Sequence, residues 1–492
     1  MERLSLRILQ IGAIAVVLAS STYTAFELDR FFVPKDLALH AAAALAGLLA
    51  IGAIRRLTFT WVDALLLAYL GLSAISALFA TNHWLAMRAF FLSVSAVVIF
   101  WTARALREAG LEQSVLAGIA LAVVVAAATS LLQAYGVHLH VFSTSRAPGG
   151  TLGNRNFVAH VCAFGIPLLL LTGIRAKRNS GYLMTCVGIA IVTAALVLSR
   201  SRAGWLAMAV ALLAFFVFGR MHVRLLGTII AVIAGAAFAL LVPNALRWRS
   251  ENPYLESMKG VANYEEGSGR GRIVQYERSL RIAGMHPLFG VGPGNWPVEY
   301  PRSVRGDDPS LNDSEPGTTF NPWPSSDWVA FATERGFLAV LALAVALLGI
   351  AFSRDATLLA VLAAAVVAGL FDAVLLLAAP AYLVFAALGA LMPSGDRVSG
   401  FGIRDFVIVL LIVLSALGAG RSTAQLISMG IYSTRSDRAS LERAARIDPG
   451  NYRLQLRLAR FGKRDERCAH GRAAHELFPA AQAGRAVSCG RD

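Results

Sequence analysis

The sequence predicts an all-α polytopic membrane protein, and its composition and apolar pattern lead to that fold class. Of its 492 residues, 57% are hydrophobic and only 15% are charged, and the mean hydropathy is +0.61. Apolar runs of about the length that crosses a bilayer recur along the chain. A transmembrane β-barrel would instead show short segments of alternating polarity. We therefore expect about 12–13 transmembrane helices, a long polar loop and a short helical C-terminal tail.

The apolar runs divide the chain into four parts: helices in 1–242, a polar loop at 243–327, further helices in 328–425 and a tail at 426–492. Because the run at 379–392 is short for a full crossing, a broken or re-entrant element formed with its predecessor is an alternative. The predicted spans are 8–25, 37–54, 62–80, 85–103, 115–135, 157–174, 182–198, 203–218, 225–242, 328–352, 356–377, 379–392 and 405–425.

Lysine and arginine are distributed unequally between alternate loops, and this predicts the orientation. One set of loops holds Arg3, Arg7, Arg55, Arg56, Arg104, Arg107, Arg175, Lys177, Arg178, Arg220, Arg224, Arg354, Arg397 and Arg404. The short loops of the other set hold only Arg30, Lys35, Arg146, Arg155, Arg200 and Arg202. Cytoplasmic loops are enriched in these residues, so the loop 243–327 and the tail are expected on the outer face. No small-residue cleavage site follows the first apolar run, which we treat as the first span.

The net charge of +15 could suggest nucleic acid as a partner. The cations lie mostly in short loops between apolar runs, however, which favours a role in topology and contact with anionic membrane lipids. We expect no nucleic-acid partner.

The four cysteines fit the predicted orientation. Cys162 and Cys186 fall in apolar runs and are expected to pack there, whereas Cys468 and Cys489 fall in the tail, where an oxidising compartment would permit a disulfide. The spacing is not that of a zinc site, and we expect neither a metal nor a cofactor.

The tail contains the sequence AARIDPGN at 444–451, followed by Tyr452. It resembles the helix-break-helix junction of tetratricopeptide repeats. A small amphipathic hairpin near the lipid headgroups is an equal alternative, because one repeat cannot bury a solenoid core.

Residues 268–296 form a cationic segment within the polar loop. Arg270, Arg272 and Arg278 offer planar charged groups suited to phosphate oxygens, beside glycines that let a backbone approach a ligand closely. The glycines at 290–294 indicate a tight, structured loop. The alternative for all of these is turn and solvated surface.

Two further groups lie at the predicted outer face. Asn154 and Asn156 stand at the mouth of the sixth span, and Arg200 and Arg202 fall in a very tight hairpin between the seventh and eighth spans. These arginines lie on the side that positive charge normally avoids, which indicates function. The alternative is that they reach toward lipid phosphates.

Five segments, in order, carry a family resemblance: TLGNRNFVAH, SRSRAGW, SGRGRIVQY, HPLFGVGPGNW and SSDWVAFATERGFLA. Together they resemble the O-antigen ligase and polymerase superfamily of bacterial envelope glycan transferases, over roughly residues 20–400. The resemblance implies an enzyme of the bacterial inner membrane that takes a glycan from a polyprenyl diphosphate-linked donor at the periplasmic face. The acceptor would be lipid A-core, another glycan or a protein hydroxyl, reached by an inverting, metal-independent displacement.

The resemblance also implies site residues. Arg200, Arg202 and Arg272 match the family's arginines and are expected to bind the diphosphate and stabilise its departure. Residues assigned to substrate binding are Arg270, Asn154, Asn156, Gly292, Gly294 and Ser325.

One position departs from the family pattern. The family usually has a histidine eleven residues before the glycine that is Gly336 here, and this chain has Ser325, which has no useful basicity near neutral pH. Asp327 is the nearest carboxylate and is the candidate proton acceptor. The alternative is that Asp327 caps the helix that begins at Trp328. His286 is interpreted as structural.

The missing histidine keeps a second function open, that of a catalytically silent scaffold in envelope polysaccharide assembly. A transporter of lipid-linked glycan is the third alternative. It should carry ionisable groups in mid-span, and the sequence shows few of them: Asp63 lies near the end of a run, and Asp372 is the clear deep carboxylate.

Overall fold

A computed structural model describes residues 1–219, 222–248, 253–259, 267–304, 308–352, 355–393 and 404–487. Over these ranges the chain forms α-helices and no β-strand, so the predicted all-α class is confirmed. The helices are α1 (Glu2–Leu18), α2 (Asp29–Leu49), α3 (Ile51–Ile54), α4 (Trp61–Leu78), α5 (His83–Glu108), α6 (Glu112–Ala134), α7 (Arg155–Ile174), α8 (Asn179–Ser199), α9 (Arg202–Phe218), α10 (Leu225–Leu241), α11 (Pro253–Lys259), α12 (Gly267–Met285), α13 (Trp296–Ser303), α14 (Asp327–Arg335), α15 (Phe337–Ala351), α16 (Ala356–Phe371), α17 (Ala378–Leu391), α18 (Arg404–Thr434), α19 (Arg438–Ile447), α20 (Tyr452–Leu458), α21 (Arg464–Leu477) and α22 (Gln482–Val487).

Seven of these helices are long and apolar enough to cross a membrane, which confirms a multi-pass membrane protein. They are α2, α4, α5, α6, α7, α8 and α18. Five further apolar helices are shorter, namely α9, α10, α15, α16 and α17. In an α-helix the backbone amides and carbonyls bond to one another within the segment, as the interior of a bilayer requires.

The predicted span 328–352 is divided in two. Gly336 has φ +81°, and a Cβ there would lie 2.3 Å from the carbonyl oxygen of Leu288, so the chain turns sharply between α14 and α15. Glu334 is buried just before the break, and its carboxylate accepts a hydrogen bond of 2.8 Å from the Gly294 amide. The glycine loop at 290–294 therefore packs on α14.

The predicted span 356–377 also ends early. α16 stops at Phe371, residues 372–377 are not helical, and α17 follows with all its residues buried. Non-helical backbone is tolerated at membrane depth where protein surrounds it and satisfies its polar groups. The structure thus shows a six-residue break between two short helices, and a broken or re-entrant element formed by the two stays a prediction.

The cationic segment after residue 267 is helical and not a loop. In α12 the buried residues Gln275, Ser279, Ile282 and Ala283 share one face, which is the spacing of an amphipathic helix. This face packs against α13 and α14. The arginines of α12 are thus held on a helix whose position is fixed by packing.

The C-terminal tail packs against the rest of the chain. α18 continues to Thr434, beyond the predicted limit of 425, and Tyr432 on it contacts the buried cluster of Leu441, Leu454 and Leu458. Asn451 caps α20 by accepting a hydrogen bond of 3.3 Å from the Leu454 amide. The tail contacts the segment before α14 through the 3.7 Å ion pair of Arg453 with Glu315, and the start of α5 through a 3.4 Å hydrogen bond from the Asn82 side chain to the Leu477 carbonyl oxygen.

Cys468 is disulfide-bonded, and Cys162 and Cys186 are free. Cys489 lies outside the described residues, as do Arg220, Arg354 and Arg397 of the orientation count.

Candidate active site at the start of helix α7

The tight hairpin between α8 and α9 forms as predicted and fixes Arg200. Only Arg200 and Ser201 separate the two helices, and Arg200 has φ +53°, the one positive φ among the described non-glycine residues. Ser201 caps α9 by accepting a 3.3 Å hydrogen bond from the Gly204 amide. A left-handed arginine is strained, and such strain is found most often where a side chain must be aimed.

Arg200 points into a cavity of about 820 Å³, which we call the arginine cavity. Arg155, the first residue of α7, lies on the same wall, and both guanidinium groups stack on the Trp248 ring, at 4.5 Å for Arg200 and 5.1 Å for Arg155. The lining residues are Gln133, His138, Thr144, Ser145, Ala147, Arg155, Arg200, Ala245, Leu246, Arg247, Trp248 and Glu256. With three arginines against one glutamate, the cavity is suited to an anion.

The contacts of Arg200 leave it available to a ligand. Its Nε donates to Ser257 Oγ at 3.1 Å, and its Nη2 lies 3.6 Å from Glu256. Burial lowers the pKa of Arg200 and Glu256 opposes that shift, yet an arginine stays charged. The Glu256 side chain is 65% exposed, so this ion pair is weak and a bound phosphate could replace it.

The start of α7 adds to the positive field. Asn154 caps the helix by accepting a 3.0 Å hydrogen bond from the Asn156 amide, and the Asn156 side chain donates to Asp372 at 3.2 Å. The helix N-terminus carries a partial positive charge beside Arg155. Of the two asparagines predicted to bind substrate, Asn154 therefore caps α7 and Asn156 ties its first turn to the end of α16.

Arg272 lies on helix α12, near α7. It is half-buried on α12 and lies within electrostatic range of His160, one to two turns into α7. One turn further along α12, the Tyr276 hydroxyl lies 2.5 Å from the carbonyl oxygen of Ser325 and 2.8 Å from that of Leu370, and its single proton can be donated to either. The region around Ser325 is thereby joined to the end of α16, close to α7.

Asp327 has a different environment from the one expected. It is fully buried, and its carboxylate accepts hydrogen bonds of 2.8 to 3.3 Å from the amides of Val374, Leu375 and Leu376. The cap of α14 is Ser326, whose Oγ accepts from the Val329 amide. The interpretation of Asp327 as a helix cap is therefore wrong, because its carboxylate binds the backbone amides of the non-helical segment between α16 and α17.

The other predicted residues are placed as follows. Arg202 begins α9, is half-buried and makes its own polar contact. Arg270 is exposed, and Arg278 forms an ion pair with buried Asp308. Gly292 and Gly294 have φ +99° and +68°, and a Cβ would lie 2.5 Å from the Ala80 Cβ and 2.9 Å from the Leu85 carbonyl oxygen. Their lack of a side chain is thus required by packing.

A second cavity, of about 710 Å³, lies between the tail and the bundle, and we call it the tail cavity. Arg88 lines it and pairs with Asp29 at 2.9 Å and Asp36 at 2.7 Å. Trp323 and Leu376 also line it. This cluster lies within about the first two turns of α2 and α5, at one end of the bundle, and the expectation of few ionisable residues in mid-span stays a prediction.

Sequence reasoning missed three residues at this site: Arg155, Trp248 and His160. Arg155 was counted only for orientation, although its place between two asparagines was a signal. No local pattern marks Trp248, because its role depends on stacking with residues distant in the chain. Three residues counted in loops, Arg30, Lys35 and Arg104, lie buried in helices.

Across the described ranges, no group of three or more His, Cys, Asp or Glu residues is placed to hold a metal ion. The arrangement instead offers permanently charged cations, which can bind and stabilise phosphate oxygens.

Residues 187–344 match the family described as O-antigen ligase, which confirms the resemblance to that superfamily. The match includes Arg200, Arg202, Arg272, Ser325 and Asp327, and it ends before the α16–α17 break. No curated protein matches the chain.

Proposed function

We propose that this chain, of which residues 187–344 match the O-antigen ligase family, transfers a glycan from a polyprenyl diphosphate-linked donor to an acceptor hydroxyl. The acceptor classes are lipid A-core, a second glycan chain and a protein hydroxyl. Glycan transfer in envelope polysaccharide assembly is the activity that the family supports at a coarse level. The donor, the acceptor and the mechanism are our proposal.

The observation that carries the proposal is the pair Arg155 and Arg200 on Trp248, in an open cavity at the start of α7. A diphosphate has several anionic oxygens, and planar guanidinium groups can bind them in pairs. The helix N-terminus adds amide donors and partial positive charge. Arg202, two residues after Arg200 at the start of α9, and Arg272 on α12, within electrostatic range of His160 on α7, are proposed to complete the site.

The proposed reaction is a displacement at the anomeric carbon. The acceptor oxygen forms a bond to that carbon while the bond to the diphosphate oxygen breaks, so negative charge develops on the departing diphosphate. Arginines that are already in place stabilise this charge more than they stabilise the bound donor, and the rate rises accordingly.

The site is proposed to face the periplasm, with the charge bias between loops as support. Single cysteines at two exposed serines test this orientation: Ser436 in the tail and Ser180 at the start of α8. A membrane-impermeant maleimide should label Ser436→Cys in intact spheroplasts, and Ser180→Cys only after permeabilisation. Each is compared with the parent chain to subtract its native cysteines. The reverse pattern would place the arginine cavity in the cytoplasm and exclude a periplasmic donor.

Transfer in detergent separates the proposal from its two alternatives. Purified protein, polyprenyl diphosphate-linked oligosaccharide and an acceptor glycolipid are mixed without a bilayer, so transport cannot occur. We expect glycosylated acceptor that grows with time and protein concentration. A silent scaffold and a transporter would both leave the acceptor unchanged, and that result across all three acceptor classes would refute the proposal.

A further inference from the structure

His160 is a buried side chain whose polar atoms have no partner. Its exposed fraction is 0%, and neither ring nitrogen makes a hydrogen bond. Buried polar groups are normally hydrogen-bonded, because leaving one unpaired costs free energy. His40 shows the ordinary case, since it is equally buried and its Nδ1 lies 2.8 Å from Ser95 Oγ. The unpaired nitrogens of His160 therefore call for a partner that binds during function.

The surroundings of His160 connect it to the candidate active site. Two charged groups on the described parts of neighbouring helices lie within electrostatic range of His160: Asp372, at the end of α16, and Arg272 on α12. On its own helix, Arg155 begins α7 and Asn156 donates to Asp372 at 3.2 Å. The imidazole thus lies within electrostatic range of Arg272 and of a carboxylate that can stabilise an imidazolium.

We propose that His160 is the group that accepts the proton of the acceptor hydroxyl, an inference that rests on the proposed glycan transfer. The acceptor oxygen bonds to the anomeric carbon, and the electron pair of the broken bond leaves with the polyprenyl diphosphate. The hydroxyl proton passes to a ring nitrogen of neutral His160. Asp372 stabilises the resulting imidazolium, which then returns its proton to water.

The other candidates at this site are less suited to the step. The Asp327 carboxylate already accepts hydrogen bonds from three backbone amides, whereas the ring nitrogens of His160 have no partner. Ser325 is joined to the same region through Tyr276, but a hydroxyl is not basic near neutral pH. A histidine is basic in that range.

An aromatic wall separates His160 from the tail cavity. The Phe157 ring lies 6.5 Å from the His160 ring and 6.2 Å from Trp323, and Trp323 lies 5.1 Å from Phe32. Trp323 is half-buried and lines the tail cavity, so its movement would open a route from that cavity to the imidazole. The acceptor hydroxyl enters by this route.

The test compares the pH profile of transfer in the wild-type protein and in His160→Gln. The wild-type rate should fall on the acid side as the imidazole becomes protonated. His160→Gln should be slower by about 10²-fold or more and should lose this acid limb, because glutamine cannot accept the proton. His40→Gln is the matched control for loss of a buried histidine, and it should keep the acid limb. Retained binding of radiolabelled donor shows that each variant is folded.

A second variant tests the proposal even if His160→Gln does not fold. Asp372→Asn removes the charge that stabilises the imidazolium, so the acid limb should move to lower pH. An acid limb that stays in place in Asp372→Asn, or that persists in a folded His160→Gln, would overturn the assignment. If the wild-type protein forms no product, the proposed function fails and this inference fails with it. If the wild type transfers and His160→Gln matches its rate and pH profile, only this inference fails.

Discussion

Replacement of Arg200 by alanine should lower the turnover of glycan transfer by about 10²-fold or more. Loss of one group that stabilises developing charge in a transition state typically costs about 3 kcal/mol. Arg202→Ala and Arg272→Ala should have effects of the same order. Turnover is measured at saturating donor, so that weaker binding alone does not produce the loss.

Three controls make the Arg200 result specific. Arg200→Gly removes the same guanidinium but suits φ +53°, so it should be as inactive as Arg200→Ala and more stable by about 1 kcal/mol, measured as thermal midpoint. Arg200→Lys should restore only part of the rate, because it keeps the charge and loses the planar fork. Arg178→Ala removes an exposed arginine from the opposite end of α8 and should leave the rate unchanged. Wild-type turnover in all three alanine variants, at positions 200, 202 and 272, would remove the site assignment.

Replacement of Asp327 by alanine should destabilise the protein strongly. The amides of buried Val374 and Leu375 and of half-buried Leu376 would lose their acceptor. A buried donor left unpaired costs about 1–3 kcal/mol, so the total loss should reach about 3 kcal/mol or more. Thermal unfolding in detergent measures it, and hydrogen exchange at these three amides should accelerate.

Asp355→Ala provides a matched comparison for Asp327. Asp355 caps α16 with a single 2.8 Å hydrogen bond from the Leu358 amide, and its loss should cost about 1 kcal/mol. Asp327→Asn keeps an acceptor oxygen and should be intermediate in stability, with transfer retained. If Asp327→Asn kept wild-type stability and lost transfer, the carboxylate would be the base and His160 would not.

The apolar pattern predicted helices closely where a helix runs uninterrupted between polar ends. The predicted spans 157–174 and 182–198 correspond to Arg155–Ile174 and Asn179–Ser199. The hairpin at Arg200 was also predictable, because two apolar runs separated by so few residues leave room only for a tight turn. Hydrophobicity alone carries this information.

The breaks in the helices could not be predicted in this way. Around Gly336 and after Phe371 the sequence stays mostly apolar, so hydropathy shows no boundary. The cause lies in tertiary contacts: the carbonyl of Leu288 beside Gly336, and the Asp327 carboxylate on amides 47 to 49 residues away. The sequence shows Asp327 as a carboxylate near the vacant histidine position, but it does not show the amides that bind it.

The candidate site was predictable only in part, because the sequence shows residue types but not tertiary contacts. Arg200, Arg202 and Arg272 were indicated by residue type, by location and by a resemblance to a family. His160 looked like one more residue of an apolar helix, because its unpaired nitrogens and its neighbours Arg272 and Asp372 are known only from the fold.

The fate of the oxygen that joins sugar to phosphorus tests the central claim most directly. The donor is prepared with ¹⁸O in that bridge, and products are analysed by mass spectrometry after transfer by the wild-type protein. Our account predicts that the label leaves entirely with the polyprenyl diphosphate, that one diphosphate is released for each glycosidic bond formed, and that Arg200→Ala suppresses both products together. Label found in the glycosylated acceptor, or donor recovered intact while the wild-type protein binds it, would contradict displacement at the anomeric carbon.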